Sequence, residues 1–449
     1  MNTDVRVVEA KASFQEEILR TPLKFGTGVI TYITGMTAEV AVESRNGRRA
    51  SGLGNILLSD IWAFPSATLN HETRDRAMRM LGERICEAYA ACEGYSHPLA
   101  LSWEVKAQLE ALAADLTREQ GLAEPVPLLA ALVCASPADA ALHDAFGRLL
   151  GISTYDAYGP DLIDHDLSRY LGPDFAERYL SEFIKPVYRP EIPIFHLVGG
   201  LDKLTCDEIT DEDPDDGLPV SLDQWIEREE LSCFKVKITG KDIDWDVERT
   251  VAVAELAYST RTRLGLDATF YISVDSNEQH EGPEAVVEYL EKLRERSALA
   301  YRMLLYLEQP TERDLEASRF DMRPVAALKP VIVDEGVTDL GKLELAHELG
   351  WSGVGLKTCK GHAASLLYAA RCQAEGMLIT VQDLTNPGLS LVHSAGLASR
   401  LPTLMGVEYN ARQYLPSSQA DVQARHRTLF TVRGGKVSLK SLAPVGLGY

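Results

Sequence analysis

Cys233-Phe234-Lys235-Val236-Lys237-Ile238 sets two lysines two residues apart inside a short apolar run. A strand turns successive side chains to opposite faces, so Lys235 and Lys237 point the same way. The run reads as a buried strand. Both ammonium groups then face an interior where an unpaired charge is costly, and they need partners. The next three apolar runs supply them, ending at Val274-Asp275-Ser276-Asn277, Leu307-Glu308-Gln309-Pro310 and Val333-Asp334-Glu335-Gly336. A further run ends at Gly355-Leu356-Lys357. Asp275 and Glu308 are 33 residues apart and Glu308 and Asp334 26, intervals that each suit one strand, a loop and a helix.

The same rhythm extends in both directions. Apolar strand candidates occur at 194–198, 233–238, 269–274, 303–307, 331–333, 353–356, 377–381 and 404–407. Each is followed by a polar residue, a loop and usually a helical stretch. Eight such units predict an α/β fold, a (β/α)8 TIM-type barrel over residues 191–410. Upstream, residues to about 65 are β-rich. Runs 29–33 and 38–42 flank an expected turn at Gly35, and Asn46-Gly47 is a hairpin signal. From about 72 to 185 the pattern is helical. Residues 1–190 therefore read as an α+β domain with connecting helices, and 411–449 as a segment packing back on it. The acidic stretch 205–217, TCDEITDEDPDDG, reads as a solvated loop after the first barrel strand, or as a loop near the mouth of a site.

The 449 residues exceed one ordinary domain, and 45% of them are hydrophobic, enough for a sizeable core. No apolar run approaches the roughly 20 residues of a membrane span. The N-terminus lacks a basic segment followed by an apolar one, so a cytoplasmic location is expected. Seven scattered cysteines without a CxxC pair read as free thiols. A formal charge of −21 argues against nucleic-acid or anionic-membrane partners. It does not exclude an anionic substrate, because a metal ion and buried lysines reverse the field locally.

One carboxylate at a strand end is often a helix cap or an ion-pair partner. Three on successive strands, bracketed by lysines, are harder to explain that way. Three hard oxygen donors with positions left for water and substrate suit Mg²⁺. The order Lys-x-Lys, Asp, Glu-Gln-Pro, Asp-Glu, Leu-Lys-x-x-Lys-Gly resembles the enolase superfamily, most closely its muconate-lactonizing and dipeptide-epimerase branch. That resemblance covers most of the chain. It implies that Asp275, Glu308 and Asp334 bind Mg²⁺, with Mn²⁺ an acceptable substitute. It implies that Lys237 and Lys357 are acid/base catalysts on opposite faces of a small carboxylate substrate. Lys235 would tune Lys237 or touch the carboxylate. Lys235, with the metal nearby, is expected to lower the pKa of Lys237 and favour its neutral form as a base. A homo-oligomeric isomerase or lyase is also implied.

The N-terminal domain resembles the family's capping domain, which closes over the barrel and is completed by the C-terminal segment. Phe25, Ile56 and Trp62 are candidate lid residues, although large apolar residues are often simply buried. The chain departs from the family in places. It has Gly52-Leu53-Gly54-Asn55 where relatives often carry Gly-x-Gly-Glu, and Lys360-Gly361-His362 after strand six. Strand seven ends in Val381-Gln382-Asp383 without the histidine of the mandelate-racemase and acid-sugar-dehydratase branches. Further candidates for substrate contact are Asn277, Glu335, Asp383 and Glu408, with Asn386, Asp202, Lys203 and His362 as weaker cases. Opposed lysines suit racemisation or epimerisation next to a carboxylate. The same lysines permit β-elimination, namely cycloisomerisation, dehydration or synthase chemistry. A Schiff-base aldolase would leave the three carboxylates unexplained, and a carboxylate-pair hydrolase would leave the lysines unexplained.

Overall fold

The computed structural model describes all residues except 26 and 27, and the side chains of 23–28 lie outside the described residues. The Phe25 candidate falls there. The chain opens with an antiparallel sheet of β1 (Val5–Phe25), β2 (Gly28–Ser44) and β3 (Arg49–Leu57), with β2 central. The expected turn at Gly35 is absent. Gly35 lies inside β2, paired with Gln15 on one side and Leu57 on the other. Pairing on both edges satisfies the backbone there, and the strand continues through the glycine. The Asn46-Gly47 turn does form, with Gly47 at φ 81° between β2 and β3.

Helices α1 (Asp60–Ala63), α2 (His71–Ala90), α3 (Pro98–Lys106), α4 (Leu109–Glu119) and α5 (Leu128–Leu150) follow. Helix α5 is apolar on nearly all sides because it is enclosed on nearly all sides. It is long and apolar enough to cross a membrane, yet 94% of its most apolar window is buried inside the protein. Two glycines explain how closely β3 meets it. A Cβ on Gly52 would lie 2.2 Å from the Ala141 carbonyl oxygen, and one on Gly54 would lie 2.1 Å from that of Pro137. Sheet and helix backbones touch at both points. Gly54→Ala is expected to destabilise the protein by about 2 kcal/mol, through overpacking against backbone that cannot move aside. Urea unfolding measures it, and an unchanged midpoint would mean that the two backbones are not in contact.

The barrel comprises β4 (Glu191–Val198), β5 (Cys233–Lys237), β6 (Tyr271–Asp275), β7 (Leu304–Glu308), β8 (Val331–Val333), β9 (Gly353–Leu356), β10 (Leu378–Val381) and β11 (Val407–Glu408). All eight run parallel, and β11 pairs with β4 to close the ring. Phe195, Cys233, Tyr306 and Ile332 pack together inside its lower half. Two residues further along, the inward positions on β5, β7 and after β8 become polar, with Lys235, Glu308 and Asp334, while β4 keeps an apolar Leu197. The C-terminal segment adds β12 (Lys436–Ser438) antiparallel to β4. It also reaches the N-terminal domain. Tyr414 and Leu415 pack with Leu19, Ile30 and Leu57, and the Tyr449 hydroxyl donates to the Leu53 carbonyl at 2.7 Å. The acidic stretch 205–217 is tied to β1, where Arg20 donates to both Asp216 oxygens at 2.6 and 2.8 Å.

Candidate active site

Period-2 alternation carries the inward face of β5 from Cys233 through Lys235 to Lys237. Register does the rest. Lys237 pairs with Asp275, Asp275 with Glu308, and Glu308 with Ile332, two residues before Asp334. The last inward positions of three adjacent strands therefore carry carboxylates at comparable depth. All are at most 1% exposed.

The lysines thread between them. Lys235 Nζ lies 2.8 Å from Glu308 Oε1, and 3.1 Å from both Asp275 Oδ2 and Glu408 Oε2. Lys237 Nζ donates to Asp275 Oδ2 at 2.6 Å and to Asn277 Oδ1 at 2.8 Å. Lys357 Nζ is 2.7 Å from Asp334 Oδ2 and 4.0 Å from Glu308 Oε1. Lys360 Nζ donates to the Asp334 carbonyl at 2.5 Å and to Oδ1 at 3.0 Å. The site thus places four ammonium groups among the carboxyl groups of Asp275, Glu308, Asp334, Glu335 and Glu408.

That balance leaves the site short of positive charge, and titration reflects it. Burial opposes ionisation of Asp275, but Lys237 and Lys235 outweigh it and hold this carboxyl down at about 2. Glu308 goes the other way. Burial pushes it up to about 8, with Asp275 and Asp334 adding to the effect against Lys235 and Lys357. Burial acts to lower Lys235 and Lys357, yet the facing carboxylates raise both above the ordinary lysine value. Carboxylates lie nearer than cations and hold the protons in place.

Among the described residues, no group of three or more His, Cys, Asp or Glu side chains is gathered to hold a metal ion. The chemistry of the donors nevertheless fits a hard divalent cation. Three buried carboxylates lie on adjacent strands, Glu308 Oε2 has no hydrogen-bond partner, and carboxyl groups outnumber ammonium groups.

The N-terminal domain covers one side of the cluster. Trp62, from α1, donates Nε1–H to Glu335 Oε1 at 2.8 Å. Its ring lies under two ammonium groups, 4.5 Å from Lys357 Nζ and 5.8 Å from that of Lys360. Asn277 Nδ2 donates to the same Glu335 oxygen at 3.2 Å. Burial raises the Glu335 carboxyl, and Asp334 adds to it. Non-glycine residues take positive φ around this rim, namely Asn277 at 46°, Glu278 at 72°, Gln309 at 31° and Thr385 at 57°. Such backbone is held only where surrounding contacts fix it. A cavity of about 570 Å³ opens beside Lys237, Asn277 and Trp245.

The remaining candidates divide. Glu408 joins the cluster through Lys235. Asp383 braces backbone instead, accepting from the Asn386 and Asn410 amides at 2.6 and 3.0 Å. Asn386 donates to Ser394 at 2.9 Å. Ile56 is core. Asp202 and Lys203 lie outside the cluster, Lys203 paired with Asp213. Three residues that the sequence motifs contain, but to which no role was assigned, belong here. Gln309 accepts from the Asp334 and Gly336 amides at 2.8 and 3.1 Å and so fixes the loop carrying Asp334 and Glu335. Gln382 accepts from Lys235 at 3.4 Å, and Lys360 grips Asp334. Gln309 and Lys360 stand in the Glu-Gln-Pro and Lys-x-x-Lys-Gly motifs, and Gln382 was signalled by its position at a strand end.

His362 is structural. It bonds to Tyr158 Oη at 2.9 Å and to His393 Nε2 at 2.9 Å, in a buried chain that links α5 to the barrel helices. Burial pulls His393 down to about 4, and His280 likewise. An unfolded imidazole titrates near 6.5, so the unfolded chain binds protons that the folded chain refuses between about pH 6.5 and 4. These histidines therefore lower stability as pH falls through that window. Glu278 and Asp383, which burial pushes up to about 7, act in the opposite sense. Comparing His393→Gln with the parent isolates one group. The parent's disadvantage should grow by about 2 kcal/mol between pH 7 and pH 5 in urea unfolding. A difference independent of pH would contradict a neutral, buried His393.

No protein-family model and no curated protein matches the chain by sequence. Solved structures do match along almost its whole length. A dipeptide epimerase from Enterococcus faecalis V583, complexed with Mg and the dipeptide L-Leu-L-Tyr, aligns at TM-score 0.60 and 16% identity, covering 99% of each chain. The L-Ala-D/L-Glu epimerase from Bacillus subtilis aligns at TM-score 0.60 and 14% identity, over 99% of this chain and 98% of that one. A muconate lactonizing enzyme from Pseudomonas fluorescens, complexed with muconolactone, aligns at TM-score 0.59 and 16% identity, over 99% and 96%. The chain therefore has the fold of the dipeptide epimerases and muconate lactonizing enzymes, an eight-stranded parallel barrel under an N-terminal α+β cap.

Proposed function

We propose that this chain is an enolase-superfamily enzyme of the muconate-lactonizing and dipeptide-epimerase branch. It removes a proton next to the carboxylate of a small molecule with the help of Mg²⁺. The observation that carries this reading is the buried row of Asp275, Glu308 and Asp334 on adjacent strands, flanked by Lys237 on one side and Lys357 on the other. Proton loss builds a second negative charge on the substrate carboxylate, giving an enediolate. Asp275, Glu308 and Asp334 would hold a divalent cation, which would supply charge stabilisation there.

The chain's own residues do the rest. Lys235, fixed by Glu308, Asp275 and Glu408, is a stationary ammonium group for the substrate carboxylate. Lys357 and Lys237 exchange the proton at the α-carbon from opposite sides. Each must first leave its carboxylate partner, because a lysine paired with Asp334 or Asp275 keeps its proton. Trp62 excludes water from the Lys357 side. Racemisation or epimerisation uses both lysines in turn. One observation favours β-elimination as the second reading. Both lysines are buried, but Lys237 borders a cavity while Lys357 lies against the Trp62 ring, and unequal settings suit one base and one charge stabiliser.

The test is incubation in D₂O with Mg²⁺ and a panel of dipeptides, N-acylated amino acids and sugar acids. Deuterium should enter the α-position of at least one member, read by NMR. Chirality of the recovered compound separates racemisation from elimination. A borohydride-trapped adduct on Lys237 or Lys357 would replace this reading with Schiff-base chemistry.

A further inference from the structure

A second cavity, of about 270 Å³, lies on the outer side of β4, and none of the clustered lysines or carboxylates lines it. Three parts of the chain enclose it: β1 at Arg20, the loop after β4, and the helix Ala411–Tyr414 with the neighbouring Trp225. Its polar groups are unevenly matched. The Asp202 carboxylate accepts from the Gly199 amide at 2.7 Å and from Tyr414 Oη at 3.3 Å. Among the described residues it has no lysine or arginine partner. The nearby Arg249 donates to the Asp202 backbone carbonyl at 2.8 Å instead.

Gln413, 6% exposed, donates Nε2–H to the Leu197 carbonyl at 3.0 Å. Its Oε1 has no hydrogen-bond partner. The two cations on the cavity wall are already engaged, Arg20 with Asp216 and Lys203 with Asp213. The cavity therefore presents spare acceptors, one of them charged, beside the rings of Trp225 and Tyr414. A buried acceptor without a donor is costly, and an aromatic wall favours an alkyl chain or a cation. Burial also pushes the Asp202 carboxyl above its ordinary value, because the charge of the nearby Arg249, which forms no ion pair with it, only partly offsets the loss of solvent.

We propose that this cavity binds a small primary amine in its ammonium form, held by Asp202 and Gln413 Oε1 with its alkyl part against Trp225. This site is independent of the proposed reaction, and its test reads binding rather than turnover. Titration calorimetry with n-butylammonium, butyrate and butanol, followed in parallel by tryptophan fluorescence, should show binding of the ammonium compound alone. Asp202→Asn should weaken that binding at least about tenfold, about 1.4 kcal/mol. Gln413→Leu provides a second variant with the same expected direction, should Asp202→Asn fail to fold. Lys357→Ala should leave it unchanged. No binding, equal binding of butyrate or butanol, or undiminished binding in the folded Asp202 and Gln413 variants would overturn the proposal. So would loss of binding in Lys357→Ala, which would move the amine to the lysine cluster.

Discussion

Replacing Lys357 by alanine should slow α-proton exchange from one stereoisomer of the substrate by about 10²–10⁴-fold, the usual worth of a positioned acid or base. Exchange from the other stereoisomer, and binding of the carboxylate, should persist. Lys357 pairs with Asp334 and Lys237 with Asp275, at the two ends of the carboxylate row, so in the proposed mechanism each would reach one face of a substrate held between them. The variant's fold should survive, because Asp334 keeps Lys360 on its other oxygen and on its backbone carbonyl. NMR in D₂O with each stereoisomer separately measures the effect. Unchanged turnover would remove Lys357 from the mechanism. Loss of exchange from both stereoisomers would make Lys357 a stabiliser of charge rather than a face-specific base, and would favour elimination over racemisation.

Replacing Glu308 by glutamine should abolish activity and weaken binding of Mn²⁺, a spectroscopic stand-in for Mg²⁺, by more than about 100-fold. Even partners outside a metal's ligand shell cost 10–100-fold when lost. Glu308 is the middle of the three carboxylates, it holds Lys235 at 2.8 Å, and its second oxygen is unpartnered. The amide keeps the shape but not the charge. Mn²⁺ titration followed by electron paramagnetic resonance reads the binding directly, without a substrate. Tight Mn²⁺ binding in this variant would place the cation elsewhere and break the assigned ligand set, whatever happens to activity.

The strand–loop–helix rhythm after residue 192 was legible because parallel strands buried on both faces read as short apolar runs. The carboxylate row was legible for the same reason, since a charged residue ending an apolar run is conspicuous. Gly35 misled, because a glycine between two strand-like runs signals a turn equally well whether or not the strand continues. Only pairing on both sides decided it. The Gly52 and Gly54 pair was visible, but its cause was not. Contact with the α5 backbone joins Gly54 to Pro137 and Gly52 to Ala141, residues 83 and 89 positions apart.

The sequence by itself determined which groups stand at the mouth of the barrel. Alternation along a strand depends only on local backbone geometry, so Lys235, Lys237, Asp275, Glu308 and Asp334 could be placed facing inward from their spacing alone. Only the tertiary structure decided how those groups pair. It set Lys235 among three carboxylates, divided Asp334 between Lys357 and Lys360, brought Trp62 from the cap onto both ammonium groups, and sent His362 into a buried structural chain. Those pairings raise Lys235 and Lys357 above the ordinary lysine value. The physical reason is that a pKa depends on the nearest opposite charge, and that distance is set by register between strands and by domain packing, which no local pattern encodes.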